Sequence, residues 1–270
     1  MNDWPDPDPT EETPMTAQTR LDALHASARR LRGIVQPLDD DALVQSAYPT
    51  EWTIAQVMSH LGSGAVILQR RLDDELAGTT TPEDFAAQTW QEWNAKSPRA
   101  QVDDGLAADA AVVAALDALS SDQRDGFSFA MGPMSFDFDG FVGLRLNEHA
   151  FHTWDIDVTL DPKATIPSPI AALVVDNLEL IGRYTAQPTP GDPTTITVRT
   201  SDPGRHFTVE LTAEGATLAP SAATDADADV ELTAEAFARL VYGRLDPDHT
   251  PPFVGDPAVI DRLRATYPGP

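Results

Sequence analysis

The first 160 residues place hydrophobic side chains at the three- and four-residue steps of an amphipathic α-helix. Four long segments show this period, at residues 16–36, 53–77, 107–119 and 136–160. The second segment opens with a capping box, because Gln56 follows Thr53 by three positions. A shorter helix around Trp90 and Trp93 is expected to end before Pro98. Four long helices joined by loops predict a four-helix bundle.

The pattern changes after Asp161, where prolines stand at positions 162, 167 and 169. Short runs that alternate or are rich in β-branched residues predict strands at residues 194–200, 207–212 and 230–232. Helical periodicity returns at residues 170–184, 234–242 and 257–265. The predicted fold class is therefore α+β, with a bundle at residues 15–162 and a small α+β domain at residues 163–270. Residues 1–14 are acidic and proline-rich, and we expect them to be a disordered tail.

The fourth predicted helix carries charge on the side that should face the other helices. On a helical wheel Phe141, Arg145, Glu148, His152 and Asp155 share one narrow arc inside the apolar face. An isolated charge costs on the order of several kcal/mol to bury, so these groups must be paired or must bind a metal.

Glu148 and His152 are one helical turn apart, so both can contact a single ion, which then needs a third ligand from another helix. Of the six histidines, His60 fits best, because it lies in the middle of a helix at the border of its apolar face. Two histidines and one carboxylate with open positions suit zinc or ferrous iron. Two simpler interpretations stay open at this stage: His60 as a hydrogen-bonded core histidine, and Arg145–Glu148 as a buried salt bridge.

Composition restricts the chemistry further. The 270 residues include no cysteine, which excludes disulfides, thiolate zinc sites and a cysteine nucleophile, so any thiol must be a separate molecule. A formal net charge of −25 repels nucleic acids and anionic membrane surfaces. No apolar run reaches the roughly 20 residues of a membrane span, and the N-terminal segment lacks the features of a secretory signal. We therefore expect a cytoplasmic protein, monomeric or weakly dimeric, without nucleic-acid or membrane partners.

Three stretches carry a family resemblance: residues 51–62 (EWTIAQVMSHLG), 145–155 (RLNEHAFHTWD) and 241–244 (VYGR). They resemble the second helix, the metal-binding fourth helix and the C-terminal Gly-Arg signature of the mycothiol-dependent maleylpyruvate isomerase family. The bundle is similar to the DinB-like fold, and the second domain to a sterol-carrier-like module. The resemblance implies metal ligands at His60, Glu148 and His152. It also makes Arg244 the counterpart of the family's substrate-binding arginine.

The resemblance implies an enzyme that uses a divalent metal, expected to be Zn²⁺, to activate mycothiol toward an electrophilic small-molecule substrate. The reaction would be cis–trans isomerisation by thiolate addition, or S-transfer to the electrophile. Arg244 would hold a substrate carboxylate, and Arg145 and Asp155 would orient the metal ligands. The alternative is a non-catalytic module that binds a metal and a small ligand. Asp155 as a fourth ligand would favour that alternative, because four protein ligands close a zinc site.

Overall fold

The computed structural model describes residues 17–189, 191–222 and 228–269, so the tail expected at residues 1–14 lies outside the described residues. Within these ranges the helices are α1 (Ala17–Val35), α2 (Asp40–Leu43), α3 (Ile54–Ala77), α4 (Phe85–Asn94), α5 (Pro98–Ala118), α6 (Ser121–Asp125), α7 (Phe138–Leu160), α8 (Ser168–Val175), α9 (Leu178–Thr185), α10 (Ala234–Val241) and α11 (Pro257–Thr266). The strands are β1 (Phe129–Met131), β2 (Met134–Phe136), β3 (Thr194–Ser201), β4 (Arg205–Thr212), β5 (Gly215–Pro220), β6 (Val230–Thr233) and β7 (Val254–Gly255).

The four long helices form the predicted bundle. Helices α1 and α3 each pack against both α5 and α7, so α3 and α7, which carry the candidate ligands, are direct neighbours. Helix α3 begins with the predicted capping box, in which Thr53 and Gln56 exchange backbone-to-side-chain hydrogen bonds. Within the described part of the chain, none of the helices combines the length and apolarity needed to cross a membrane.

Two predicted helix boundaries were wrong. Helix α5 begins at Pro98, which was expected only to end the helix before it. Ser97 caps α5, and proline is tolerated in the first turn of a helix because a backbone N–H at that position would have no partner within the helix. Residues 170–184, expected as one helix, form α8 and α9 with a break at Asp176 and Asn177. Helical periodicity alone does not report such a break when the residues on both sides are apolar.

The second half of the chain contains a five-stranded mixed sheet in the order β5-β4-β3-β6-β7. Strands β3 and β6 are parallel, and the other neighbours are antiparallel. The three predicted strands correspond to β3, β4 and β6, whereas β5 and β7 were not predicted. Helix α9 packs on β5, and α10 packs on β3 and β6. The α+β class is confirmed.

One buried apolar cluster runs through both halves of the chain. It joins Leu21 and Phe141 of the bundle to Phe207, Leu240 and Tyr267 of the second half. A smaller cluster fills the part of the bundle around Leu31, Ile54 and Met58. The apolar core is therefore continuous across residue 162, and the division into two domains at that point stays a prediction.

A polar contact also joins the two halves, next to the apolar core. The Tyr48 hydroxyl donates to Asp246 Oδ2 at 2.6 Å, and His249 Nδ1 lies 2.7 Å from the same oxygen. The Tyr48 ring packs edge-on against Trp154, with ring centroids 4.8 Å apart. These contacts hold the loop before α3 against the second half, which fixes the wall of the site described below.

Gly62→Ala is expected to destabilise the bundle, because α3 and α5 approach each other closely at Gly62. A Cβ there would lie 2.2 Å from the Trp93 ring and 2.8 Å from the Cα of Gly105. Trp93 is buried, so its ring cannot move aside into solvent. The overpacking should lower the free energy of unfolding by about 1–3 kcal/mol, measured by urea denaturation.

Gly33→Ala is the matched control, since Gly33 is exposed on α1 and a Cβ there has no neighbour within 4 Å. That variant should be neutral or up to about 1 kcal/mol more stable, because alanine is the better helix former. Equal stability of the two variants would contradict the close helix contact.

Candidate functional site

Two helices of the bundle bring the three predicted ligands together. His60 lies on α3, and Glu148 and His152 lie one turn apart on α7. His60 Nε2 is 3.0 Å from Glu148 Oε2, and His152 Nε2 is 3.6 Å from the same oxygen. One ligand atom from each residue lies within 4.8 Å of the other two. The cluster offers two imidazole nitrogens and one carboxylate oxygen around a single point, a donor set that suits a divalent cation.

Asp155 and Arg244 fix the orientation of His152. Asp155 Oδ2 lies 2.9 Å from His152 Nδ1, so Nδ1 is assigned as the donor and Nε2 is left free to face Glu148. Arg244 binds both oxygens of Asp155, from Nε to Oδ1 at 2.7 Å and from Nη2 to Oδ2 at 2.8 Å. The Asp155 carboxylate is thus occupied by hydrogen bonds and lies outside the group of converging ligand atoms.

The electrostatics of the site keep both carboxylates ionised. Partial removal from water acts to raise the pKa of the half-exposed Glu148, but hydrogen bonds from His152 and His60 outweigh it and hold the pKa well below its ordinary value. Burial likewise acts to raise the pKa of Asp155, and the charge of Arg244 with the hydrogen bond from His152 lowers it overall. An ionised Glu148 is the form that coordinates a metal.

Arg244 reaches this site from the second half of the chain, but the carboxylate that it holds is Asp155. It is buried, and its Nη1 also donates to the carbonyl oxygen of Tyr242 at 2.8 Å. Three of the five guanidinium N–H groups are therefore used, and the second hydrogens of Nη1 and Nη2 have no acceptor among the described residues. From the sequence, Arg244 was expected to act on the substrate alone. The structure shows that it also binds Asp155.

Arg145 has a different partner from the one that its spacing suggested. Its Nη2 donates to Asp109 Oδ1 of α5 at 2.8 Å, and His149 Nε2 lies 3.1 Å from the same oxygen. All three side chains are buried. Glu148 turns instead toward His60, so the salt bridge considered between Arg145 and Glu148 is absent from the ion pairs of the described residues. Burial acts to raise the pKa of Asp109, but His149 and Arg145 outweigh it and lower the pKa.

A cleft of about 740 Å³ opens beside the three ligands, between the bundle and the second half. Trp52 forms part of its wall, with its ring centroid 5.3 Å from that of His60 and 6.2 Å from that of His152. Phe151 and Tyr242 stack with centroids 3.5 Å apart on another part of the wall. Aromatic walls with a few converging polar groups are typical of small-molecule sites.

The hydroxyl of Tyr242 is a site group that the sequence did not single out. This oxygen is buried and has no hydrogen-bond partner among the described residues. Burial raises the pKa of Tyr242 well above its ordinary value, and the charge of Glu148 acts in the same direction. The hydroxyl therefore stays protonated, as a hydrogen-bond donor on a residue that lines the cleft. The available signal was its place two residues before Arg244 in the stretch with the family resemblance.

Arg244→Ala is expected to lower the free energy of unfolding by about 3–5 kcal/mol, because it leaves the Asp155 carboxylate buried without its cation. The double variant Arg244→Ala/Asp155→Ala removes both charges and should recover part of that loss. Urea denaturation of the metal-free proteins measures both. If the single variant were as stable as the unsubstituted protein, the Arg244–Asp155 pair would not hold this part of the fold together.

Comparison with known proteins identifies a family model and solved structures that are similar to this chain. The family model described as the mycothiol maleylpyruvate isomerase N-terminal domain matches residues 24–157, which include all three converging residues. A crystal structure of the mycothiol-dependent maleylpyruvate isomerase is 14% identical, covers 86% of this chain and 91% of that chain, and superposes with a TM-score of 0.64. A histidine-to-alanine mutant of that isomerase is also 14% identical, with coverages of 86% and 90% and a TM-score of 0.63.

No protein with a curated description matches the chain. At 14% identity the solved structures establish a shared fold, and the family model establishes the relationship of the bundle that carries the site. The chain therefore belongs to the mycothiol-dependent maleylpyruvate isomerase family.

Proposed function

We propose that the protein is a mycothiol-dependent enzyme in which His60, Glu148 and His152 hold a divalent metal ion, most simply Zn²⁺. The observation that carries the proposal is the approach of three ligand atoms to within 4.8 Å of one another beside a large cleft. Imidazole nitrogen and carboxylate oxygen are ligands that zinc accepts. Asp155 behind His152 forms the carboxylate–histidine arrangement that commonly supports a metal-binding imidazole.

Three protein ligands favour a catalytic role over a structural one. A structural zinc site is closed by four protein ligands, whereas a catalytic site keeps a position for water or a reactant. Asp155, the candidate for a fourth ligand, is taken up by Arg244 and His152 Nδ1. A metal bound here would supply Lewis acidity, which lowers the pKa of a thiol in the open position and keeps it as the thiolate.

The cleft supports a separate thiol molecule as the second reactant. The chain has no cysteine, so it supplies no thiol of its own. A volume of about 740 Å³ is within the range of sites for small organic cofactors, roughly 300–1,000 Å³. Asn147 and Gln187 lie among its lining residues, and their amide groups suit a polar, hydroxyl-rich thiol. Both similar structures are of an enzyme named for mycothiol, which makes mycothiol the thiol of choice.

The proposed reaction is cis–trans isomerisation of an alkene conjugated with a carbonyl group. The thiolate sulfur adds to one alkene carbon while the π electrons move to the carbonyl oxygen. The resulting single bond rotates, and return of the electrons expels the thiolate, so the thiol is regenerated. The residues of the chain then have one clear task, which is to stabilise negative charge on the carbonyl oxygen. Tyr242 and Arg244 are among the residues that line the cleft, and the unpartnered hydroxyl of Tyr242 and the remaining N–H groups of Arg244 are suited to this task.

His152→Ala is expected to abolish metal binding and turnover together, because two remaining ligands hold a divalent ion weakly against water. Tyr242→Phe should keep the metal and lower the rate roughly 10- to 100-fold, the range for loss of one donor to a developing oxyanion. His206→Ala, which changes a histidine of β4 outside the site, should alter neither. The measurements are metal content and turnover with mycothiol on conjugated cis diacids and on alkyl or epoxide electrophiles.

The outcome also separates the candidate functions. Conversion that leaves the thiol concentration unchanged identifies an isomerase, and consumption of one thiol per turnover identifies an S-transferase. Metal binding without either reaction would support the non-catalytic binding module. Full activity of His152→Ala would show that the metal takes no part in the reaction.

A further inference from the structure

A second cavity also adjoins the candidate metal centre. This side cavity, of about 330 Å³, shares His60 and Glu148 with the cleft but has otherwise different walls. Apolar side chains such as Ile67 and Phe129 form much of it, and two arginines, Arg71 and Arg145, complete it. His60 and Glu148 thus border two cavities, the large cleft and the smaller side cavity.

Arg71 is half-buried in this wall and has no acidic partner. It forms no ion pair with any described residue, and its guanidinium lies 5.6 Å from the centroid of the Phe129 ring. The next residue, Arg70, is by contrast paired with Asp74 at 2.7 Å. In a chain with a net charge of −25, Arg71 lines a cavity whose one carboxylate, Glu148, lies beside His60 and His152, so surface pairing explains its position poorly.

Arg145 adds an independent observation. Its side chain is 3% exposed, and its Nε has no hydrogen-bond partner among the described residues. The single carboxylate lining the side cavity belongs to Glu148, which is engaged by His60 and His152. A buried donor without an acceptor is unfavourable, and Arg145 is one of the residues that line the side cavity.

We propose that the side cavity binds a carboxylate of the electrophilic substrate, with Arg71 as its anchor. The proposal rests on the proposed function, because it gives the two reactants separate places at the same centre. A volume of 330 Å³ suits a small carboxylic acid, whereas the cleft of 740 Å³ suits the larger thiol. Arg244 is bound to Asp155, whereas Arg71 forms no ion pair with a described residue. Arg71 is therefore the arginine available for a planar, two-point contact with a carboxylate.

The apolar walls define the substrate class more closely. Ile67, Leu68 and Phe129 give the side cavity an apolar surface, and Arg71 places one positive charge in its wall. This combination fits a short conjugated acid, with its carboxylate on Arg71 and its unsaturated carbons toward His60 and Glu148. An uncharged or strongly polar substrate would leave both features unused.

The test is binding of maleate, a small conjugated diacid, measured by titration calorimetry on the zinc-loaded full-length protein without thiol. Arg71→Met should weaken maleate binding about 10- to 100-fold, the effect of losing a charged hydrogen bond. Arg71→Lys should weaken it less, because the charge remains and the fork geometry is lost. Arg29→Met is the matched control: Arg29 is exposed on α1, so this variant makes the same change in net charge and should bind maleate normally.

Three results would overturn the assignment: no saturable maleate binding to the unsubstituted protein, normal binding by Arg71→Met, or a loss seen in Arg244→Lys and not in Arg71→Met. The last would place the carboxylate in the cleft. Zinc content of Arg71→Met, which should be unchanged, separates this proposal from the metal site. If maleate binding depends on Arg71 but the protein shows no thiol-dependent turnover, the carboxylate subsite is supported and the proposed function is rejected.

Discussion

The requirement that buried charge be compensated organises this molecule, and it acts along one face of α7. Three charged residues on that face each reach a different element: Arg145 pairs with α5, Glu148 with α3, and Asp155 with Arg244 of the second half. Removing the partner of a buried charge costs about 3–5 kcal/mol, so the buried Arg145 and Asp155 pairs restrict how α7 sits against its neighbours, whereas the half-exposed Glu148–His60 pair contributes less. The same contacts that position α7 also assemble the candidate metal centre.

The position of the site follows from that arrangement. Glu148 and His152 face α3 at the edge of the bundle, where the second half closes one side and supplies Tyr242 and Arg244. A reactant in the cleft therefore touches both halves of the chain, whereas one in the side cavity touches the bundle alone. This separation would allow the proposed thiol and electrophilic substrate to approach the same centre from different spaces.

The sequence could predict the features that depend on local periodicity. The helical period placed Glu148 and His152 on the same side of one helix, and the capping box located the start of α3. The partners of the buried charges could not be obtained in this way, because spacing within one helix says nothing about which neighbour it meets. Asp109 illustrates the point: it lies in an Ala- and Val-rich segment that predicts only a buried helix, and its role appears once α5 is set beside Arg145.

The second half of the chain, including its sheet, was also only partly predictable from local sequence patterns. Strand β5 contains glycine, alanine and proline, which are weak strand formers, and it is held by its neighbour β4 rather than by its own propensity. Arg244 was found from a short motif, but its pairing with Asp155 joins positions far apart in the chain. The candidate site was therefore predictable as a set of residues, and its cleft and side cavity were not.

The absence of cysteine makes one measurement a direct test of the central claim, that the three residues hold a metal with a position open to an external thiol. The protein is loaded with Co²⁺, and its near-ultraviolet absorption is recorded before and after addition of mycothiol. Because the chain contributes no thiolate, a sulfur-to-cobalt charge-transfer band can arise only from the added thiol. The account predicts that this band appears with the unsubstituted protein and is lost in His152→Ala. A Co²⁺-loaded protein whose spectrum does not change with thiol would contradict it.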